Sequence, residues 1–302
     1  MGIAPFRRKF GLPLLICSLA SGSAARAAQL PTLPAVDLVR QTVHNELAAA
    51  NDNAKFMFRD RRQTPRGSQT KLMVETRDAM AGLLIAIDDK PLTDAQRVAE
   101  DARVNRFVKD PDELKKRQRQ EKEEAERVSR IMKALPDAFL YAYDGSEPGR
   151  QGVGQPGRPL VRVKFRPNPA YAPPTHVEQV LTGMEGYLLI DPEEDRIARI
   201  DGKLVSEVSF GWGILGHLDP GGHFLVTQGD VGNGHWEISR MDLAFTGKIL
   251  FFKSINFTQT EVASDFLPVP SNLTFAQGLE LLRKQQALLA ENDAAHPSNS
   301  PR

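Results

Sequence analysis

Three histidines and three acidic residues fall close together in the second half of the chain, where they could form a divalent metal site. They are His217, His223, His235, Asp219, Asp230 and Glu237. Imidazole and carboxylate groups are common zinc ligands, but these spacings match no zinc motif. Neighbouring strands can also place such residues on opposite faces of a sheet. We therefore expect surface or turn histidines here, with no metal and no other cofactor.

Hydrolytic chemistry would need an activated serine or a pair of carboxylates. A serine hydrolase places its nucleophile in Gly-x-Ser-x-Gly at a sharp strand-to-helix turn, whereas Ser206 and Ser209 fit ordinary strand positions. Paired acids for glycoside hydrolysis could come from one group, Glu185, Asp191, Glu193, Glu194 and Asp195. Most of this group lies in a predicted turn, where acids are usually solvated. We expect no enzyme, with a hydrolase of unrecognised site as the remote alternative.

Residues 1–27 have the features of a bacterial export signal. Arg7, Arg8 and Lys9 precede a short apolar segment at 12–20, and residues 25–27 form a small-x-small cleavage site. The apolar segment is shorter than the ~20 residues that cross a bilayer. The sequence therefore predicts a periplasmic or secreted protein that is not an integral membrane protein. The Sec route is expected, with the twin-arginine route as the alternative.

Composition narrows the function further. The single cysteine, Cys17, lies in the leader, so the mature chain has no disulfide, thiol nucleophile or cysteine-ligated zinc. The full chain of 302 residues carries a formal charge of +1, and removing the four basic leader residues leaves −3. This mild charge argues against a nucleic-acid partner, which would require a basic excess.

Two predicted helices, residues 93–135, interrupt a run of predicted strands. Thr93 and Gln96 fit a capping box, and Asp110 followed by Pro111 fits the start of the second helix. The second helix is expected to end near Leu135, because a proline follows. Its first half is almost entirely charged, which favours a solvated helix docked only by its second half. The alternative is a mobile lid or a partner-binding arm.

The stretch 184–270 has strand periodicity with tight turns, including a predicted hairpin turn at Asp201-Gly202. Such short connections require antiparallel pairing. With the earlier strands, the sequence predicts an α+β fold, in which about ten antiparallel strands form a strongly curved half-barrel with helices on its concave side. One domain is expected over residues 28–290, closed by a helix at 273–289 and followed by a disordered tail at 291–302.

Four short segments and the order of elements resemble the LolA-like carriers, the superfamily of periplasmic proteins that sort outer-membrane lipoproteins. The resemblance is strongest to uncharacterised secreted proteins of soil bacteria such as Acidobacteria. The segments are Arg166-Pro167-Asn168-Pro169, Gly186-Tyr187-Leu188-Leu189-Ile190-Asp191, Phe210-Gly211-Trp212-Gly213 and Gly234-His235-Trp236-Glu237. The resemblance implies an incomplete barrel whose concave apolar face holds acyl chains.

These observations lead to two hypotheses about function. The first is a periplasmic carrier of a lipid, a lipoprotein acyl chain or another hydrophobic molecule. Its expected cavity-lining residues, which fit a plain core equally well, are Phe56, Phe58, Leu72, Val74, Phe251 and Phe257. The second is a non-catalytic module that contacts an envelope protein through the charged helix at 112–135.

Overall fold

The computed structural model describes residues 30–210, 216–249 and 253–295, so the predicted leader, Phe251 and residues 296–302 lie outside the described parts. The described helices are α1 (Ala35–Ala49), α2 (Asp94–Lys109), α3 (Pro111–Ala138), α4 (His176–Gln179) and α5 (Phe275–Ala295). A 3₁₀ turn at Val180–Gly183 follows α4. Helix α5 extends into the predicted tail. Within these ranges, no helix is long and apolar enough to cross a membrane.

Thirteen strands form one sheet. The strands before α4 are β1 (Lys55–Thr64), β2 (Gly67–Val74), β3 (Ala81–Ile87), β4 (Lys90–Pro91), β5 (Phe139–Pro148) and β6 (Pro159–Pro167). Those after it are β7 (Met184–Asp191), β8 (Arg196–Leu204), β9 (Val208–Phe210), β10 (Gly216–Leu218), β11 (His223–Gly232), β12 (His235–Ile249) and β13 (Lys253–Val269).

The sheet is open, and its order is β4-β3-β2-β1-β13-β12-β11-β8-β7-β6-β5. β10 pairs with the C-terminal end of β12, and β9 pairs with β10. Every pair of named strands is antiparallel, which confirms the predicted α+β class and the antiparallel sheet. The count exceeds the predicted ten, partly because β4, β9 and β10 are only two or three residues long.

The register separates the sheet into two faces, because paired residues point to the same side. Helix α1 packs on the face of Leu188, where Leu38 and Val39 join its core. Helix α5 packs on the opposite face, where Leu279 and Leu282 join the core of Leu72. We call these the α1 face and the α5 face. The helices therefore lie on both faces, at opposite ends of the sheet, rather than on one side as predicted.

Helix α2 covers the edge of the sheet next to β4. The Glu100 carboxylate accepts the Leu84 N–H at 2.7 Å, and Arg103 donates to the Gly82 carbonyl at 2.9 Å. These bonds satisfy strand groups that an edge would otherwise leave free. The structure confirms the capping box of Thr93 and the cap of α3 by Asp110.

Helix α3 reaches from one edge of the sheet to the other. Near its first half, the Glu121 carboxylate accepts the N–H of Met80, which precedes β3, at 3.1 Å. At its other end, the Tyr141 hydroxyl of β5 donates to the Leu135 carbonyl at 2.6 Å. Residues 122–128 between these contacts are all exposed. The prediction of docking by the second half alone is therefore wrong, since both ends are anchored.

Two boundaries differ from the predictions for local reasons. Helix α3 continues to Ala138, because Pro136 lies in its last turn, where the missing N–H removes only one helical bond. The Asp201-Gly202 pair lies inside β8 and is not a turn. Gly202 is paired with Gly186, and a Cβ on Gly202 would lie 3.0 Å from the Met184 methyl group. This glycine therefore leaves room for a neighbouring side chain instead of forming a hairpin turn.

Candidate ligand-binding face

One row of paired side chains crosses the α1 face and changes from apolar to polar halfway. On one side of the row the paired residues are apolar, and they are Met241, Val226, Ile200, Leu188 and Val163. On the other side they are polar, and they are Glu261, Arg62 and Gln69. The change occurs between β12 and β13, where Met241 is paired with Glu261. The α1 face is thus amphipathic across its width.

The apolar half continues beyond the part that α1 covers. The apolar strip consists of Val226, Met241, Leu243, Phe245 and Phe257 on β11, β12 and β13. The first four are half-buried, and Phe257 is 42% exposed. None of the described helices packs extensively on these three strands. The strip is therefore an apolar surface without a cover among the described residues, and it adjoins the core under α1.

The Glu46 carboxylate is one of the contacts that hold helix α1 beside the apolar strip. Glu46 accepts from Arg196 Nε at 3.1 Å, from the Ile197 N–H at 2.7 Å and from Gln228 Nε2 at 2.7 Å. Arg196 also lies over the Trp236 ring, 5.5 Å from its centre. These contacts join α1 to β8, β11 and β12, so the helix has a defined position next to the strip.

The polar half of the α1 face holds a charged cluster of four residues, Asp60, Arg62, Lys71 and Glu261. Burial, reinforced by the Glu261 charge, raises the pKa of Asp60 to about 6. Arg62 binds Glu261 at 3.1 Å. Burial, followed by the charges of Arg103 and Arg62, lowers the pKa of Lys71. The cluster therefore places partly dehydrated charges directly beside the apolar strip.

The predicted lining residues do not share one cavity. Phe56 and Phe58 meet through Phe266, with ring centres 6.4 and 5.2 Å from it. Leu72 and Val74 lie in the core under α5, on the opposite face. Phe257 belongs to the apolar strip, and Phe251 lies outside the described residues. The ligand-binding role of these six residues stays a prediction.

Sequence reasoning missed most of the apolar strip, although a signal was present. Met241, Leu243 and Phe245 alternate with Arg240 and Asp242, which is the pattern of a strand with one apolar face. The charged cluster had a weaker signal in the sequence. Its members come from β1, β2 and β13, which are distant in sequence and meet only through sheet pairing.

The three histidines lie in strands, and each lies beside a different acid. His217 contacts Asp219 at 3.3 Å, His223 contacts Asp201 at 3.1 Å and His235 contacts Asp52 at 3.0 Å. Across residues 30–210, 216–249 and 253–295, no three His, Cys, Asp or Glu side chains are grouped to hold a metal.

Four of the five acids considered for glycoside chemistry lie at the turn between β7 and β8, and Glu185 lies at the start of β7. Asp191 is buried, and it accepts the N–H groups of Glu193 and Glu194 at 3.0 and 3.2 Å. Arg158 binds Glu194 at 2.6 Å, and Trp236 Nε1 donates to the same carboxylate at 2.8 Å. The expectation that turn acids are solvated fails for Asp191, because one of its oxygens accepts both N–H groups of the turn from inside the protein.

A groove of about 660 Å³ lies on the α5 face, over β5–β8. It is lined by apolar and aromatic residues and by charged residues, most of which form ion pairs. Lys203 binds Glu185 at 3.2 Å, and Lys164 binds Asp144 at 2.7 Å. Its charges are largely balanced within the protein, so it makes a weaker candidate than the α1 face.

No protein-family model, no curated protein and no solved structure matches the chain. The resemblance to the LolA-like carriers therefore rests on the four quoted segments and on the order of elements.

Proposed function

We propose that the protein is an exported, non-catalytic carrier that binds a lipid or another molecule with an acyl chain on the α1 face of a half-barrel sheet. The apolar strip is the observation that carries this proposal. Val226 is paired with Ile200, which packs against the core under α1, and no described helix packs extensively on the strands of the strip. Covering apolar surface is favourable by roughly 25 cal/mol per Å², so an acyl chain is a suitable cover.

The contacts of α3 support the half-barrel. Eleven strand positions laid flat would span about 48 Å, because neighbouring strands lie about 4.8 Å apart. Yet α3 touches both edges of the sheet, through Glu121 near β3 and Leu135 near β5. At 1.5 Å of rise per residue these two helix positions are about 21 Å apart. Strong curvature is the simplest way to bring the edges within that distance.

Close backbone approach on the α1 face favours placing the concavity there. A Cβ on Gly186 would lie 1.9 Å from the Asp201 carbonyl oxygen. A Cβ on Gly222 would lie 2.5 Å from the Phe245 ring. Side chains on the concave side of a curved sheet are crowded together, which is where glycine is needed. In this arrangement α1 and the apolar strip lie inside the half-barrel and α5 lies outside.

The test is ligand binding by the purified mature protein with a matched pair of variants. Phe257 and Thr258 are neighbours on β13, both exposed, and they point to opposite faces. We expect a fluorescent fatty acid to bind the wild type, Phe257→Arg to weaken binding about ten-fold or more, and Thr258→Arg to leave it unchanged. Buried charge is strongly disfavoured in an apolar site, which is the basis of this expectation.

Mass spectrometry of the protein as isolated gives an independent readout, because a bound lipid would appear in an organic extract. The absence of extracted lipid together with no uptake of the fluorescent fatty acid would refute the carrier function. Equal loss of binding in Phe257→Arg and Thr258→Arg would instead refute the placement of the ligand on the α1 face.

A further inference from the structure

We infer that the ligand is a single-chain amphiphile with an anionic head group, which Lys71 binds beside Arg62 while the alkyl chain lies along the apolar strip. This inference rests on the proposed carrier function and adds the chemical class of the ligand. It comes from the placement of one lysine within the charged cluster.

Lys71 points to the α1 face, because its neighbours Thr70 and Leu72 are buried on the α5 side of β2. It is half-buried, and its ammonium has no carboxylate within 4.0 Å among the residues that the structure describes. The nearby cations differ in this respect. Arg62 is bound to Glu261 at 3.1 Å, and Arg103 is bound to Glu100 at 2.6 Å.

Asp60 is paired with Lys71 across the two strands but does not act as its counter-ion. Its carboxyl group interacts with Glu261, and the shared negative charge helps to raise the pKa of Asp60. The two arginines meanwhile help to lower the pKa of Lys71. The charges of Glu100 and Asp60 offset part of this effect, but neither carboxylate forms an ion pair with the half-buried ammonium, so an external anion would supply the direct partner that it lacks.

The geometry of the α1 face fits one molecule with two different ends. Lys71 lies on β2, three strand spacings or about 14 Å across the sheet from β12, and it is two residues along the strand from Gln69, which shares a row with Met241. Asp60 lies beside Lys71 on β1, and Arg62 and Glu261 lie in the row of Met241. A chain whose head group is at Lys71 would therefore cross the sheet diagonally to reach Met241, Val226 and Leu243.

The experiment compares ligands that have the same chain but different heads. Dodecanoate, dodecanol and dodecyltrimethylammonium each compete with a bound fluorescent fatty acid on the mature protein, below their micellar concentrations and at mildly alkaline pH. We expect dodecanoate to bind about ten-fold more tightly than dodecanol, since a charge-assisted hydrogen bond adds roughly that factor, and the cation to bind most weakly.

Three variants link this preference to the lysine. Lys71→Met should reduce the preference for dodecanoate over dodecanol to within about two-fold, whereas Lys71→Arg should retain it. Lys203→Met, which removes a lysine on the α5 face, should also retain it. Circular dichroism verifies that each variant is folded, and the head-group comparison in the wild type needs no variant.

Equal binding of the three amphiphiles to the wild type would overturn the anionic head group while leaving the carrier function intact. A preference for dodecanoate that persists in Lys71→Met would overturn the role of Lys71. Absence of any binding by the fluorescent fatty acid and by all three amphiphiles would refute the carrier function itself, and this inference with it.

Discussion

Removing the Glu46 carboxylate should weaken the attachment of α1 to the sheet and strongly destabilise the protein. One oxygen of Glu46 accepts from Arg196, from the Ile197 backbone and from Gln228. The side chains of Arg196 and Glu46 are only 11% and 12% exposed, so solvent screens this ion pair little. The contact therefore differs in kind from the exposed ion pairs elsewhere on the protein.

The burial of the Glu46–Arg196 ion pair sets the expected loss in the free energy of unfolding. Breaking a buried ion pair from one side typically costs about 3–5 kcal/mol, because the remaining charge is left without a partner. We expect a loss of that size in the free energy of unfolding for Glu46→Ala. Glu46→Gln keeps an acceptor for Ile197 and Gln228 and should lose about half as much. The double variant with Arg196→Met should recover part of the loss, since no charge is then stranded.

Urea denaturation followed by far-ultraviolet circular dichroism measures these differences. Arg40→Ala on the same helix is the control, because Arg40 is 55% exposed and pairs with Asp37 at 2.7 Å. Exposed pairs contribute at most about 1 kcal/mol. A Glu46→Ala loss no larger than that of Arg40→Ala would refute the argument that Glu46 anchors α1.

Two further predictions concern the α1 face. Because the pKa of Asp60 is raised to about 6, the folded state binds a proton more tightly than the unfolded state, so stability should fall by up to about 3 kcal/mol as pH rises from about 4 to about 6. Urea titrations at pH 4, 5 and 7 should find a larger fall in the wild type than in Asp60→Asn, which keeps the fall due to Glu237, whose pKa is raised by burial to about 7; parallel profiles would disprove it. Gly186→Ala should lower the free energy of unfolding by at least about 2 kcal/mol, since its Cβ would lie 1.9 Å from the Asp201 oxygen. An unchanged melting curve would contradict that close approach.

Local features of the fold could be predicted because their causes are local. The capping box at Thr93 and the Asp110 cap involve residues within one helical turn, and both are present. Alternating side chains and tight turns required antiparallel strands, and the sheet has them. The prediction of a hairpin turn at Asp201-Gly202 was wrong for a tertiary reason. A glycine that relieves a tertiary contact has the same sequence signature as a glycine in a turn.

The candidate site was harder to predict, because its halves come from distant strands. Phe257 was selected from its strand pattern and lies in the apolar strip. Leu72 has an equally clear alternation, yet it faces α5. Periodicity identifies which residues share a face of a strand, but not which helix will cover that face. The charged cluster depends on the pairing of β1 with β13, about 200 residues apart along the chain.

The sequence by itself determined the class of the fold, the antiparallel pairing, the helix caps and the expectation of an apolar sheet face, because these follow from neighbouring residues. Only the tertiary structure decided that the helices lie on both faces, that α3 joins the two edges, and that the charged cluster assembles beside the apolar strip. The physical reason is that register and strand order depend on the burial of whole faces at once. No short segment carries that information.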